Sequence, residues 1–222
     1  VGGKTGVDFI DGKNILGAFH QPKLVYINVD VLKTLPEREF VSGMGEVIKH
    51  GVIADKAFFD YIAENADSVK MLETETLLKM CKKNCAIKAA VVSRDEKEQG
   101  LRAILNFGHT VGHAVETYYK FKLSHGECVG IGMYAAAVIA KNRMMISETE
   151  LHTLTEVLEK YGFELHVKLE NPKKIIEIMH MDKKAHDGIL KFILPCGIGK
   201  VTAAENVAEG EILTALKAID KG

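Results

Sequence analysis

The sequence predicts a mainly α-helical protein with a small β-hairpin near its C-terminal end. Three observations carry that prediction. Apolar residues recur at helical spacing through successive segments from Thr34 onward. Polar caps mark helix starts, as at Ser147 with Glu150 three residues on. Only a few short stretches are rich in β-branched and aromatic residues.

Taken in order, residues 1–17 (VGGKTGVDFIDGKNILG) read as a Gly-rich loop whose backbone can approach an anion closely. The spacing is not that of a Walker loop. Residues 24–30 (LVYINVD), behind Pro22, read as a strand. Thr34, Pro36 and the acids after them start a helix that runs through Phe40, Met44, Val47, Ile48 and Val52. A short amphipathic helix follows over 56–66 and a long one over 74–95. A central stretch, 102–127, holds His109 and His113 on one helical face, with Arg102 and Asn106 on the turns before them. His125-Gly126 opens a helix over 129–145, and its small residues imply close packing against neighbours. Helices over 147–161 and 172–180 come next, then Asp182-Lys183-Lys184 in a polar loop. Residues 189–194 and 199–202 form the hairpin around Pro195-Cys196-Gly197-Ile198, and a helix over 209–220 closes the chain.

The totals exclude several classes of function. At 47% hydrophobic and 27% charged, the 222 residues have the composition of a globular protein with a real core. A formal net charge of −1 without a basic block argues against nucleic acid or an anionic membrane as partner. The longest apolar run, 129–140, is too short to span a bilayer, and no signal-peptide pattern is read. Four cysteines without a disulfide-framework spacing fit a reducing cytoplasm, and Cys81 and Cys85 read as neutral, at least half-buried thiols. The chain starts without Met inside a Gly-rich segment, so it is expected to be the C-terminal piece of a longer polypeptide.

The chemistry concentrates in the central stretch. A catalytic zinc wants about three N or O ligands and an open position, and His109, His113, His125 and Glu46 are the candidates. The His pair at i, i+4 has zincin spacing, but Thr110 stands where a metalloprotease needs Glu, so peptidase activity is disfavoured. Spacing leaves open which imidazoles bind metal and which bind substrate. Arg102 suits a carboxylate or phosphate, because its planar fork binds two oxygens. Lys4, Lys13, Lys49, Lys88 and Lys183 add point charges, which together imply a small, multiply anionic substrate. The bland alternatives are a solvated Glu46–Lys49 pair and a snorkelling Lys88.

The segments GGKTGV, GKNILGAF, GEVIKHG, R-x-x-LNFGHTVGHAVE, SHGE and DKK closely resemble the dehydroquinate synthase family, over almost the whole chain and in the same order. The resemblance implies a multi-helix metal-binding domain, normally following an N-terminal α/β nucleotide-binding domain that is mostly absent here. Residues 1–33 would be the end of that first domain and 34–222 the helical metal- and substrate-binding domain. Glu46, His109 and His125 would hold zinc, or cobalt in its place, and His113 would face the substrate phosphate. Lys4, Asn14, Asn106 and Lys183 (rather than Lys184) would contact phosphate or hydroxyls. Arg102 and Lys88 would hold the carboxylate, and Lys49 would line the same cleft. Lys13 would belong to the Gly-rich wall and, with Lys4, face the cofactor. Asp8 stands where the family usually carries Asn.

The reaction so implied is conversion of the sugar acid phosphate DAHP to 3-dehydroquinate plus phosphate in the shikimate pathway. NAD is used transiently and the substrate's own phosphate serves as base. The resemblance further implies a cytoplasmic enzyme, a homodimer at full length, and an inactive isolated fragment. The rivals are another sugar phosphate cyclase, whose substrates lack a carboxylate for Arg102 and Lys88, a metal-dependent polyol dehydrogenase, and a non-catalytic helical interaction domain.

Overall fold

The computed structural model describes residues 1–9, 12–185 and 190–222, with the side chains of all of these except 8, 9, 12–15 and 182–185. The chain begins with strands β1 (Lys4–Phe9) and β2 (Gly12–Phe19), paired antiparallel with Lys4 opposite Phe19 and Val7 opposite Leu16. After a 3-10 helix at Val29–Thr34 come α1 (Glu37–Ala54), α2 (Lys56–Glu64), the single turn α3 (Ala66–Lys70) and the long α4 (Thr74–Arg94). A second 3-10 helix, Leu101–Asn106, leads into α5 (His109–Tyr118) and α6 (His125–Asn142). The last elements are α7 (Glu148–Lys160), α8 (Pro172–Ala185), the hairpin β3 (Phe192–Pro195) with β4 (Val201–Ala204), and α9 (Glu209–Ile219).

The mainly α reading holds. Four local expectations need correction, each for a physical reason. The Gly-rich stretch is a hairpin over its described residues, because the β-formers among its glycines pair between two antiparallel strands. Residues 24–28 form no strand: no described strand lies beside them, and the Asn28 side chain accepts from the Asp30 backbone N–H at 3.0 Å and starts a 3-10 turn instead. Thr34 is not the cap of α1. Its hydroxyl donates to the Val31 carbonyl at 2.8 Å and closes the 3-10 helix, while Pro36 takes the N-cap position. Finally, α8 runs through Asp182-Lys183-Lys184 to Ala185, since no Gly, Pro or cap residue stops it after His180.

α6 is the axis of the fold. Its residues from Gly126 to Ala140 are buried except Glu127's and Tyr134's partly exposed side chains, and it packs on α1, α5, α7, α9 and β3. A helix buried all round is what an apolar run without a polar face dictates. Its N-terminus is set by a capping box in which Ser124 accepts from the Glu127 N–H and Glu127 reaches back to the Ser124 N–H. The Ser147–Glu150 box starts α7 in the same way, as the sequence predicts. No helix among the described residues is long and apolar enough to cross a membrane.

Two glycines of α6 allow the close approach. A Cβ at Gly126 would fall on the Ser42 carbonyl of α1, and one at Gly132 on the Gly108 carbonyl just before α5. These contacts bring the start of α5 and the middle of α1 to the same end of α6. Gly132→Ala is therefore expected to destabilise the protein by roughly 1–3 kcal/mol through overpacking. Gly43→Ala is the control, because a Cβ there meets nothing within 4 Å. It should be neutral or stabilising by about 0.5 kcal/mol. Urea unfolding of both variants checks the contrast; equal effects would remove close helix approach as the reason for Gly132.

Candidate metal centre

Three helices converge on one point. α1 supplies Glu46 and Lys49 three residues apart on one face, α5 supplies His109 and His113 one turn apart, and α6 supplies His125 as its first residue. The imidazoles cluster, with ring centroids 5.1 Å apart for His109–His113, 5.2 Å for His109–His125 and 5.7 Å for His113–His125. Glu46 Oε1 lies 3.7 Å from His109 Nε2 and 3.9 Å from His125 Nε2. Those separations are too long for hydrogen bonds. Two atoms that share a tetrahedral zinc at about 2.1 Å stand roughly 3.4 Å apart, so the pairs lie near ligand spacing.

The electrostatics suit a cation. Glu46 Oε1 is buried and has no hydrogen-bond partner among the described residues. Its other oxygen accepts from Lys49 Nζ at 2.6 Å, and the Lys49 side chain is only 2% exposed. Burial opposes ionisation of Glu46, but the Lys49 charge and hydrogen bond outweigh it and hold the carboxyl down to about 2. Burial pulls the Lys49 ammonium down as well, outweighing Glu46, so the carboxylate gains from this pair while the ammonium is strained. For His109, burial and then the Lys49 charge lower the pKa to about 3. Its imidazole is neutral, with a lone pair available for a metal.

The tautomers are set from outside the cluster. His109 Nδ1 faces the Phe107 carbonyl at 3.1 Å and His125 Nδ1 faces Glu116 Oε2 at 3.4 Å. A proton on each Nδ1, donated to these acceptors, would leave Nε2 of both rings as the atom facing Glu46. The residues present thus fit a zinc-type ion: ligand atoms of His109, His113 and His125 lie within 4.8 Å of one another, and an ionised carboxylate offers an orphaned oxygen beside two of them.

Cations line the adjoining wall. Lys88 of α4 and Arg102 both reach Gly2, where a Cβ would stand 3.4 Å from Lys88 Cε and 3.3 Å from Arg102 Nη2. Arg102 is buried and does not share a helix with the histidines, as its i, i+4, i+7 spacing to Asn106 and His109 suggests it would. Phe107 and Gly108 break the helix, Gly108 having a φ of +80° that suits glycine. Arg102 Nη1 donates to the Glu96 carbonyl and Nη2 to the Gly2 carbonyl, both at 2.8 Å. Asp95 shapes this turn by accepting from the N–H groups of Gln99, Gly100 and Arg102, each at 2.8 Å. Lys4 is ion-paired with Glu98, and Asn106 Nδ2 reaches the same carboxylate at 3.5 Å. The side chains of Lys13, Asn14 and Lys183 lie outside the described residues.

A cleft of about 370 Å³ lies beside the histidines, between α5 and α8, lined by His113, Glu116, Thr117, Phe121 and Met181 among others. A larger cavity of about 660 Å³, walled by Leu35, Phe40 and Tyr161, contains none of the candidate residues, whereas the smaller cleft is lined by His113 of the cluster. The sequence reading missed Glu116 and Glu98. Glu116 lies three residues after His113 and seven after His109, so helical spacing could have found it. Glu98, at a φ of +60° in an irregular turn, gives no such signal.

This fold is shared with solved sugar phosphate cyclases. It superposes with a TM-score of 0.90 on 2-epi-5-epi-valiolone synthase of Streptomyces hygroscopicus subsp. jinggangensis 5008, solved with NAD+ and Zn2+ bound, at 28% identity over 99% of this chain and 61% of that one. With 2-deoxy-scyllo-inosose synthase, solved with carbaglucose-6-phosphate, NAD+ and Co2+, the TM-score is 0.74 at 27% identity over 97% of this chain and 62% of that one. Within that class the chain belongs to the 3-dehydroquinate synthase family: residues 43–185 match its C-terminal domain description and residues 1–42 its N-terminal one. The 3-dehydroquinate synthase of Ruminiclostridium cellulolyticum is 50% identical over 90% of this chain and 56% of its own length. That of Microcystis aeruginosa is 44% identical over 100% of this chain and 62% of its own. The chain thus spans a little over half the length of these relatives.

Two measurements probe the electrostatics. Lys49→Met removes the partner of the Glu46 carboxylate and should destabilise the metal-free protein by on the order of 2 kcal/mol. The loss stays moderate because the Glu46 side chain is 34% exposed. Urea unfolding without metal, showing no loss, would make the pair energetically idle. His50, whose Nδ1 lies 2.6 Å from Asn84 Oδ1, is buried, and burial with the Lys49 charge lowers its pKa to about 4. The unfolded chain takes up this proton near pH 6.5 while the folded one resists to about 4, so stability from this group is intact above 6.5 and lost between 6.5 and 4. The shift corresponds to on the order of 3 kcal/mol. Stability of His50→Gln should accordingly fall less steeply through that window than that of the wild type.

Proposed function

We propose that this chain is the metal- and substrate-binding part of a 3-dehydroquinate synthase, which converts DAHP to 3-dehydroquinate and phosphate in the shikimate pathway. The observation that carries the reading is the orphaned Glu46 Oε1 facing Nε2 of both His109 and His125, whose Nδ1 atoms are committed elsewhere. On this reading Glu46, His109 and His125 hold zinc, or cobalt in its place, and His113 is the histidine left for the substrate phosphate. Bound there, the metal would supply a Lewis acid for a substrate hydroxyl. NAD would accept and return a hydride. The described residues contain no parallel sheet to cradle a dinucleotide, so its binding fold belongs to the part of the relatives that this chain does not span. Residues 1–33 would close that first domain and 34–222 form the second, in a cytoplasmic homodimer.

The chain's own residues have definable tasks in this reading. Lys49 keeps Glu46 ionised at neutral pH. Lys88 and Arg102 meet the substrate carboxylate. Arg102 spends two of its five N–H donors on the Glu96 and Gly2 carbonyls, which fixes its plane and leaves other donors for an anion. Lys4 and Asn106, now joined through Glu98, reach substrate oxygens, as do Lys13, Asn14 and Lys183, with Lys4 and Lys13 also toward the cofactor. The work of this wall is orientation and charge stabilisation. Its density of cations favours a sugar acid phosphate over an uncharged polyol. The likeness to 2-deoxy-scyllo-inosose synthase, solved with carbaglucose-6-phosphate, supports one rival, a cyclase acting on a sugar phosphate without a carboxylate.

Phosphate release from DAHP by the full-length protein tests the reading. Turnover should require both NAD and metal, stop with a chelator, and be absent in the isolated 222-residue chain. Arg102→Ala should raise KM for DAHP by on the order of tenfold or more through loss of a charged contact. Turnover of a heptulose phosphate without a carboxylate, in place of DAHP, would overturn the substrate assignment.

A further inference from the structure

Glu116 has no part in the division of labour above, yet it is one of few charged side chains the fold buries, at 6% exposure. Burying a carboxylate is costly unless a partner repays the lost hydration. The helix offers no internal reason for it, because α5 turns Val111, Ala114 and Val115 into the core and an apolar residue at 116 would pack as well. One group that Glu116 faces is His125 Nδ1, at 3.4 Å.

His125 needs such a partner more than His109 does. The His109 side chain is 14% exposed, and its Nδ1 is fixed by the backbone carbonyl of Phe107, two residues before it. The His125 side chain is 43% exposed and stands at the first residue of its helix. An imidazole in that position can rotate, and it can take either neutral tautomer. A carboxylate on Nδ1 selects the tautomer with its proton there, turns Nε2 toward Glu46, and makes the ring a stronger donor. Because Glu116 shares α5 with His109 and His113, one rigid helix then fixes three members of the centre relative to one another.

We propose that Glu116 is the positioning residue of the metal centre: its buried carboxylate holds His125 Nδ1–H so that Nε2 is presented to the metal. The inference rests on the proposed ligand role of His125. Its bland rival is a brace in which Glu116 merely favours the positive N-terminal end of α6. A brace would act equally with and without metal, whereas a positioning residue acts on the ion.

The test measures zinc affinity by chelator competition in the full-length protein, for wild type, Glu116→Gln, Glu116→Ala, His125→Ala and His113→Ala. Thermal melting is recorded for each with and without zinc. Glu116→Ala should weaken zinc binding by about 10–100-fold. Glu116→Gln, which keeps the shape and one acceptor oxygen, should fall between it and wild type. The rise in melting temperature on adding zinc should shrink in both, with metal-free melting much less affected, and the cobalt(II) absorption bands should shift. Wild-type affinity in both Glu116 variants, with zinc lost in His125→Ala, would overturn the positioning role and leave the metal centre standing. Equal losses of stability with and without zinc, at unchanged affinity, would identify the brace. Folded wild type that binds no zinc would overturn the metal centre itself, and the positioning role with it.

Discussion

α1 and the start of α5 each approach α6 more closely than ordinary side chains permit, and the rest of the structure depends on that approach. Gly126 lets α6 lie against the Ser42 carbonyl, and Gly132 lets it lie against the Gly108 carbonyl. The ligand candidates come from three separate helices, and their side chains are of fixed length. A centre with Glu46 Oε1 within 4 Å of two imidazole nitrogens exists only where the three backbones are already that near. The apolar interior of α6 supplies the stability, and its glycines supply the geometry.

A buried cation beside a metal site looks unfavourable at first. Lys49 is nearly inaccessible and stands next to the place where an ion would add more positive charge. Its value lies in keeping Glu46 anionic and His109 neutral, the two states a ligand set requires, before any ion arrives. The carboxylate divides its oxygens between them, one for the ammonium and one left over. Carboxylates recur around the cluster: Glu46 and Glu116 on the ring nitrogens, Glu98 on Lys4. They offset nearby lysines that would otherwise repel one another.

Most helices are legible in the sequence because their signals are local. Ser147 with Glu150, the small-residue run after His125 and the apolar spacing of α1 need no knowledge of the rest of the chain. The shared face of His109 and His113 follows from spacing alone. The arrival of Glu46 and His125 beside them does not, since tertiary packing decides it, and there the family resemblance supplied what periodicity could not. The misreadings have one cause, competition between local and distant partners. Residues 24–28 have strand chemistry but no described strand beside them. Arg102 and Asn106 have helical spacing to His109, yet Gly108 breaks the chain between them. Asp182-Lys183-Lys184 looks like a loop but continues a helix that nothing stops.

The N-terminal hairpin meets the rest of the molecule differently from every helix. Its facing pair Val7 and Leu16 is exposed, as is Phe19, so it buries little apolar surface. It is held by polar stitches to one turn: Lys4 to Glu98, Gln21 to Glu96, and Arg102 to the Gly2 carbonyl. Two-stranded hairpins have little stability of their own. The molecule therefore has two grades of permanence, and amide hydrogens of β1 and β2 would exchange with solvent through openings that leave α1, α5 and α6 closed. Because one of the stitches, Lys4 to Glu98, is a half-exposed ion pair, salt would loosen the hairpin before it disturbs the helices. The hairpin and the helices that carry Glu46, His109 and His125 would then come apart under different conditions.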